Sequence, residues 1–343
     1  MKRIFLIAFL IVFCFVSCNK KEEKQIILPQ TKEKITMKVN RFEKLLFSSP
    51  KEHLKDTLQK YYNQYKPLFN APLSNEEYFN EIYQFSTDRN MIDIYNIVEK
   101  KYGDILWLQK DITTAFAILM EDYPNIRIPQ LYSLILGPAE FSYAYSMRVV
   151  SQESFIIFAL DLYSINSFDN NSLYAYYPKY IKTMLDSCFL PVDIMTSYLR
   201  NVTTGNIELK EQSPNATFLD IIIERGKFYY ALKQILPNSN MSDLFRYTPL
   251  QMQWVMENEY NIWSLIIKSN ILYSKERGKY MHLISEGPST KNIENSPSRI
   301  ADYIGYRIVE KYQKENKKTL KELFENTDAM EIINSAKYKP KQK

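Results

Sequence analysis

The chain opens with one continuous apolar run and then changes to a long stretch in which apolar positions recur periodically. Residues 4–16 carry no charge and consist almost entirely of aliphatic and aromatic side chains. The run follows Lys2 and Arg3 and is shorter than the roughly 20 apolar residues that a bilayer-spanning helix needs. A charged start followed by an apolar run of this length is typical of a signal peptide. We therefore predict that residues 1–17 are removed on maturation.

The end of this run resembles the processing site of a bacterial lipoprotein. Phe15-Val16-Ser17-Cys18 places an aliphatic residue and a small residue before a cysteine. This pattern predicts cleavage before Cys18 and lipidation of its thiol, and the alternative is an ordinary signal peptide that happens to end at a cysteine. Each buried methylene of an acyl chain contributes roughly 0.8 kcal/mol, so two or three chains anchor a protein stably. Residues 18–34 are polar and are predicted to be a flexible tether.

Helix starts are well marked beyond the tether. Several Ser or Thr residues stand three positions before Glu or Gln, often with proline next, as in Ser49-Pro50-Lys51-Glu52. Apolar residues then follow at helical spacing. Phe218 to Leu236 forms a further, strongly apolar helix that Pro237 would end. The other predicted helices lie near residues 50–65, 75–86, 249–270, 297–314 and 319–326.

Strand patterns occur in two places. Residues 37–42 alternate between apolar and polar, and a second block contains three apolar runs, 131–136, 143–150 and 154–163. Gly137-Pro138 and Ser151-Gln152 separate these runs, so a hairpin is expected within the block. A small central sheet in a chain with many helices indicates an α+β fold that is predominantly helical. We predict a single, mostly helical domain over residues 35–343.

Composition narrows the possible functions. Only 7 residues are Gly, whereas 27 are Tyr and 19 are Phe, which favours helices over a turn-rich β-sandwich. Loss of Lys2 and Arg3 would lower the formal net charge from +5 to about +3, so nothing calls for a nucleic-acid partner. With Cys18 acylated, Cys188 has no partner for an internal disulfide, and we expect it to be a buried apolar thiol.

Few residues are candidates for a catalytic, metal-binding or ligand-binding role. The two histidines, His53 and His282, belong to no His-Glu-x-x-His motif, and no catalytic residue, metal site or cofactor is expected. Asp161 ends an apolar strand. The default expectation is that its carboxylate caps the turn that follows, and the alternative is that it faces a cleft. Glu224 and Lys227 lie on one face of the long apolar helix, either in a cleft or, as we favour, as an ion pair at the edge of the core.

Several short motifs, in this order, resemble the gliding-motility lipoprotein GldB family of Bacteroidetes. They run from the tether to the C-terminus: Val39-Asn40-Arg41-Phe42-Glu43-Lys44, Ala159-Leu160-Asp161-Leu162-Tyr163, Glu224-Arg225-Gly226-Lys227-Phe228-Tyr229-Tyr230, Tyr247-Thr248-Pro249 with Trp254 and Trp263, Ser296-Pro297-Ser298-Arg299 through Gly305, and Ser335-Ala336-Lys337-Tyr338-Lys339-Pro340. Arg299 thereby joins Asp161, Glu224 and Lys227 as a candidate for a cleft or a buried polar site.

The resemblance implies a lipoprotein of the gliding motility and type IX secretion machinery that binds other machinery proteins and is not an enzyme. It implies a place in the cell envelope, with the periplasm favoured over the cell surface and the choice between inner and outer membrane left open. The family is more distantly similar to zincin-like peptidases, but residues 193–199, where the metal-binding helix would lie, contain no histidine. The alternative is a divergent zincin-like peptidase or a peptide-binding protein with a cleft near Asp161 and Glu224.

Overall fold

The computed structural model describes residues 35–168, 174–202 and 212–342, so the predicted signal peptide and the whole predicted tether, including Cys18, lie outside the described residues. A four-stranded mixed sheet, in the order β1-β2-β4-β3, lies within a mostly helical structure. Its strands are β1 (Val39–Arg41), β2 (Gln130–Leu134), β3 (Val149–Ser151) and β4 (Phe155–Ala159). The first, second and fourth run parallel, and β3 pairs antiparallel with β4 at one edge.

The helices before and around the sheet supply one side of the molecule. They are α1 (Phe42–Ser48), α2 (Leu54–Lys60), α3 (Glu76–Thr87), α4 (Arg89–Tyr102), α5 (Leu106–Asp122), α6 (Phe141–Met147), α7 (Lys179–Thr183) and α8 (Leu190–Val202). Helix α5 returns the chain from β1 to the parallel strand β2, as a parallel connection requires. Helix α8 packs against β3 and β4.

The C-terminal part is helical throughout its described elements. These are α9 (Phe218–Ile235), α10 (Met241–Phe245), α11 (Pro249–Glu257), α12 (Glu259–Lys268), α13 (Arg277–Ile284), α14 (Ile300–Asn316), α15 (Leu320–Glu325) and α16 (Ala329–Ala336). Reciprocal capping boxes at Thr217, Thr248 and Thr319 satisfy backbone N–H groups at the starts of α9, α11 and α15. Those caps explain why the sequence located these starts correctly.

The predicted α+β, predominantly helical class is confirmed, and so is the hairpin, in which Val150 pairs with Ile157. The strand predicted over residues 143–150 is mostly wrong, because residues 141–147 form α6 and only Val149–Ser151 is extended. The Glu140 carboxylate accepts a hydrogen bond from the Tyr143 N–H and thereby starts a helix. Tyr143 is exposed and Ala144 is buried, so the alternating tyrosines do not mark a buried strand face.

Two other predicted helices differ in extent. The helix predicted over residues 50–65 is a 3-10 turn followed by α2, which ends before Tyr61. The helix predicted over residues 249–270 is interrupted at Asn258, which separates α11 from α12. Asn258 ends α11 with its side-chain amide donating to the carbonyl of Trp254. Asparagine commonly competes in this way with the helical backbone.

Helices α9 and α14 cross at two glycines. A Cβ added to Gly226 would lie 2.3 Å from the carbonyl carbon and oxygen of Gly305, and a Cβ added to Gly305 would lie 1.9 Å from the carbonyl oxygen of Ile222. The backbones of α9 and α14 therefore touch at these two positions, which leaves no room for a Cβ at either one. The main apolar core extends from this crossing to the sheet, and a smaller cluster forms around Leu46, Leu54 and Leu58.

Candidate functional site

A cleft of about 610 Å³ lies between strand β3, helices α8 and α9, and the chain segments next to α10, α13 and α14. This volume is in the range of small-ligand sites in proteins. Part of the lining is apolar, including Val192, Phe228, Leu232 and Leu244. The charged part contains five arginines and three carboxylates, which leaves an excess of positive charge among the described lining residues: Arg148, Arg200, Arg225, Arg246, Arg299, Asp193, Glu286 and Asp302.

Asp193, near the start of α8, lies between two arginines. Its Oδ2 is 3.0 Å from Nε of Arg148, and its Oδ1 is 2.8 Å from Nη1 of Arg246. The Tyr163 hydroxyl donates a further hydrogen bond to Oδ2. Burial alone would raise the pKa of Asp193, but the two guanidinium groups and the hydroxyl outweigh burial and lower the pKa below its usual value. Asp193 is therefore a fixed carboxylate whose charge is neutralised by its neighbours.

Asp302, in the first turn of α14, is held in a similar way from the other side of the cleft. Its Oδ1 is 3.0 Å from Nη1 of Arg225, and its Oδ2 accepts a hydrogen bond from the Tyr229 hydroxyl at 3.1 Å. The same hydroxyl accepts from Nη1 of Arg299 at 2.9 Å. The guanidinium of Arg225 also donates to the carbonyl of Ile284. Nη1 of Arg299 also lies 3.7 Å from Oδ2 of Asp302. Each of the two buried carboxylates of the cleft is thus close to two arginines.

Arg246 and Arg299 share an unusual set of properties. Both have left-handed backbone conformations, with φ of 56° and 57°, a region that residues other than glycine rarely occupy. Arg299 is buried and Arg246 is partly buried, and each is tied to a backbone carbonyl, that of Met184 for Arg246 and that of Phe245 for Arg299. The Nε of each is buried and has no hydrogen-bond partner among the described residues. The nearest carboxylate oxygen to Nε of Arg299 belongs to Glu286, at 3.6 Å.

Asp161 does not line this cleft. It is fully buried, and its carboxylate accepts hydrogen bonds from the backbone N–H groups of Leu136 and Gly137, each at 3.0 Å, and from the Tyr174 hydroxyl at 2.6 Å. Burial raises the pKa of Asp161 against the opposing effect of these donors. Gly137 has φ of 81°, so Asp161 stabilises the left-handed turn after β2. The Asp161 side chain makes no cap for the turn that follows its own strand, which was the default expectation, and its contacts are to the turn after the neighbouring strand β2.

Glu224 and Lys227 also lie away from the cleft. Nζ of Lys227 is 2.7 Å from Oε1 of Glu224 and also donates to the carbonyl of Asn326, and both side chains are buried. The next residues around the same helix, Arg225 and Tyr229, line the cleft instead. Of the four side chains singled out from the sequence, Arg299 alone lines this cleft.

Sequence reasoning missed Arg148, Asp193, Arg246 and Asp302. Their partners are 45 to 77 residues away in sequence, so no local spacing indicates the pairs. A usable signal was the position of Arg246 next to the Tyr247-Thr248-Pro249 motif. Among the described residues, no group of His, Cys, Asp and Glu is placed to hold a metal ion, and no helix is both long enough and apolar enough to cross a membrane.

Cys188 corrects a further expectation. The thiol lies on the surface at the start of α8 and is not a buried apolar group. Partial desolvation and the carboxylates of Asp243 and Asp186 raise the pKa of Cys188 to about 12. A thiol with such a pKa is almost entirely protonated at neutral pH and is a poor nucleophile.

A family model described as gliding motility protein GldB matches residues 21–340. The chain belongs to the GldB family. The match extends over nearly the whole chain and includes every residue of the arginine-lined cleft. No curated protein and no solved structure matches the chain, and the distant likeness to zincin-like peptidases stays a prediction.

Proposed function

We propose that this GldB-family protein is a lipid-anchored component of the gliding and type IX secretion machinery in the cell envelope, and that it acts by binding other proteins of that machinery. The family match supports the role in gliding motility. The lipoprotein pattern at Cys18 supports the membrane anchor. A periplasm-facing position is favoured, with the inner and outer membranes left as alternatives.

The arrangement of Asp193 and Asp302 carries the proposal that the protein binds and does not catalyse. A hydrolase needs a general base that is free to accept a proton, with a pKa near the working pH. Asp193 is instead held between Arg148 and Arg246, and its pKa is lowered. Paired, immobile charges of this kind suit a preformed recognition surface.

Complementation of a gene-deletion strain tests the membrane role. The wild-type gene should restore gliding and secretion, and the wild-type protein should fractionate with membranes. We expect a Cys18→Ser protein to stay uncleaved or to appear in the soluble fraction, and to fail in complementation. A Cys18→Ser protein that loses its signal, stays with the membrane and restores gliding would refute the lipid anchor.

A proteolysis assay tests the rival peptidase function. The purified wild-type protein should leave unfolded casein intact, with and without added zinc. Cleavage that co-purifies with the protein and disappears in an Asp193→Asn variant would favour the peptidase, because Asp193 is the carboxylate of α8 that lines the cleft.

A further inference from the structure

We infer that the arginine-lined cleft binds the carboxylate end of a peptide, and that Arg246 and Arg299 are the residues that recognise it. This inference rests on the proposal that the protein acts by binding, and it names the chemical class of the ligand.

The first argument is the backbone conformation of Arg299. A residue other than glycine with a left-handed backbone is strained by about 1 to 3 kcal/mol and persists only where its surroundings hold it. Arg299 adopts this conformation at the N-cap of α14, where an extended backbone is usual, whereas Arg246 adopts it at the C-cap of α10, where it is common. Both residues line the same cleft. Strained residues concentrate at binding and catalytic sites, where the strain positions a side chain for a ligand.

The second argument is that each arginine is already fixed in place and still has a donor to offer. The Nη groups are used within the protein: Arg246 donates to Asp193 and Met184, and Arg299 donates to Tyr229 and Phe245. The Nε–H of each is buried without a hydrogen-bond partner among the described residues. A buried donor without an acceptor costs about 1 to 3 kcal/mol, so a ligand oxygen that reached either Nε–H would be favoured. Both atoms are shielded from solvent, so such a contact requires that the covering side chains move aside: Glu286 next to Arg299, and Tyr145 and Phe189 next to Arg246.

The two side chains belong to one recognition unit. Arg299 donates to the carbonyl of Phe245, the residue directly before Arg246, and its guanidinium lies over the ring of Tyr247 at 5.4 Å. The guanidinium of Arg299 is therefore anchored at the end of α10, directly beside the backbone of Arg246. Planar guanidinium groups match the geometry of carboxylate and phosphate oxygens.

Glu286 supplies a negative charge next to Arg299. It is half exposed, and its Oε1 lies 3.6 Å from Nε of Arg299, which is an ion-pair distance but too long for a good hydrogen bond. A ligand carboxylate could displace this flexible surface side chain and form the shorter contact. Removing the Glu286 charge should therefore strengthen binding.

The rest of the lining suits a peptide. Hydroxyl and amide side chains along the cleft can pair with peptide groups, and Phe228 and Leu232 offer an apolar surface for a side chain. The polar set comprises Ser151, Thr196, Ser197, Asn201 and Ser285.

Titrations with matched probes test the inference on the mature, full-length chain in lipid nanodiscs. The probes are acetyl-Gly-Gly-Phe, the same peptide with a C-terminal amide, and phenyl phosphate, each followed by ligand-observed NMR. We expect the acid to bind about tenfold or more tightly than the amide, since a charge-assisted hydrogen bond contributes that much. Equal binding of the acid and the amide, or no binding of either, would overturn the inference. If phenyl phosphate bound more tightly than the acid, the proposed ligand would be a phosphate and not a peptide carboxylate.

Variants locate the binding residues. Arg246→Lys keeps a positive charge beside Asp193 but lacks the Nε–H and the planar fork, so it should lose most of the affinity for the acid. Arg307→Lys is the matched control, because Arg307 pairs with Glu259 and Glu310 and does not line the cleft. Glu286→Gln should tighten binding of the acid about two- to fivefold, as expected for removal of a partly exposed ion pair.

Two results would overturn the assignment to Arg246 and Arg299: unchanged affinity in Arg246→Lys, or unchanged affinity in Glu286→Gln. Since the titrations use purified protein, such a result would leave the membrane role intact. That role depends on the separate fractionation and complementation experiments.

Discussion

Replacing Gly226 with alanine is the most direct test of how the helical part of this protein is held together. The new Cβ would lie 2.3 Å from backbone atoms of Gly305, and 2.8 Å from the backbone nitrogen of Tyr306. Neither neighbour can rotate away, since both are main chain. Restoring even a 3.0 Å contact requires that α9 and α14 separate by roughly 0.7 Å in a close-packed interior.

The magnitude follows from two opposing effects. Alanine is about 1 kcal/mol better than glycine inside a helix, which favours the variant. Against this, a gap of 0.5 to 1 Å removes about a quarter to a half of the dispersion attraction between facing atoms, and overpacking of a core usually costs about 1 to 3 kcal/mol. Because the overlap is with three backbone atoms, we expect a net loss of about 1 to 3 kcal/mol in the free energy of unfolding.

Urea unfolding of the chain from Ile35 onward, followed by tryptophan fluorescence, measures this loss. Gly278→Ala is the matched control, because Gly278 is an exposed helix residue and its added Cβ meets no atom within 4 Å. The control should be neutral or stabilised by up to about 1 kcal/mol. If Gly226→Ala is as stable as the wild type, or if both variants lose the same stability, the argument from backbone contact is wrong.

Four further outcomes are expected. Asp161→Asn should lower the free energy of unfolding by about 1 to 3 kcal/mol, because the amide cannot accept from both backbone N–H groups; an unchanged urea midpoint would contradict this. Glu224→Gln should cost about 3 kcal/mol, since it leaves the buried Lys227 charge less compensated, and a stable Glu224→Gln protein that fails in complementation would indicate a direct functional role instead. The pKa of Asp193 is lowered in the folded state, so its ionised carboxylate should contribute fully to the free energy of unfolding above the unfolded pKa of about 4. This contribution should disappear as the pH falls through the folded-state pKa, and the stability of an Asp193→Asn protein should lack that part of the dependence on acid pH. Cys188 should react slowly with a maleimide at neutral pH, with a rate that still rises at pH 10, and fast labelling at pH 7 would refute the raised pKa.

Much of the fold was predictable because its signals are local. Capping residues and apolar spacing located α3, α9 and α15 to within a few residues, and the turn after β3 identified the hairpin. The errors arose where a local pattern has two meanings. Alternating aromatic residues in 143–150 look like a strand, but Glu140 caps a helix there, in which Tyr143 is exposed and Tyr145 packs against the core.

The cleft was much less predictable, because its pairs are long-range. Whether Glu224 or Arg225 faces the cleft depends on a rotation of about 100° around one helix, and only the packing of α9 against α14 decides it. The sequence drew attention to this helix and favoured an ion pair between Glu224 and Lys227 over a cleft position, and the structure places these two side chains together in the interior. Arg299 was singled out because it lies in a motif of the GldB family, and it lines the cleft, but nothing in the spacing predicted its neighbour Arg246.

The glycine crossing also determines the dimensions of the cleft. Arg225 precedes Gly226, and Asp302 lies one turn before Gly305, so the 3.0 Å ion pair between them forms right beside the point where the two main chains touch. The spacing of the two walls is thus imposed by peptide groups and not by the size of any side chain. Relatives could then exchange many of the surrounding apolar residues without altering the width of the cleft, whereas a change at either glycine would alter ligand affinity even in a protein that still folds.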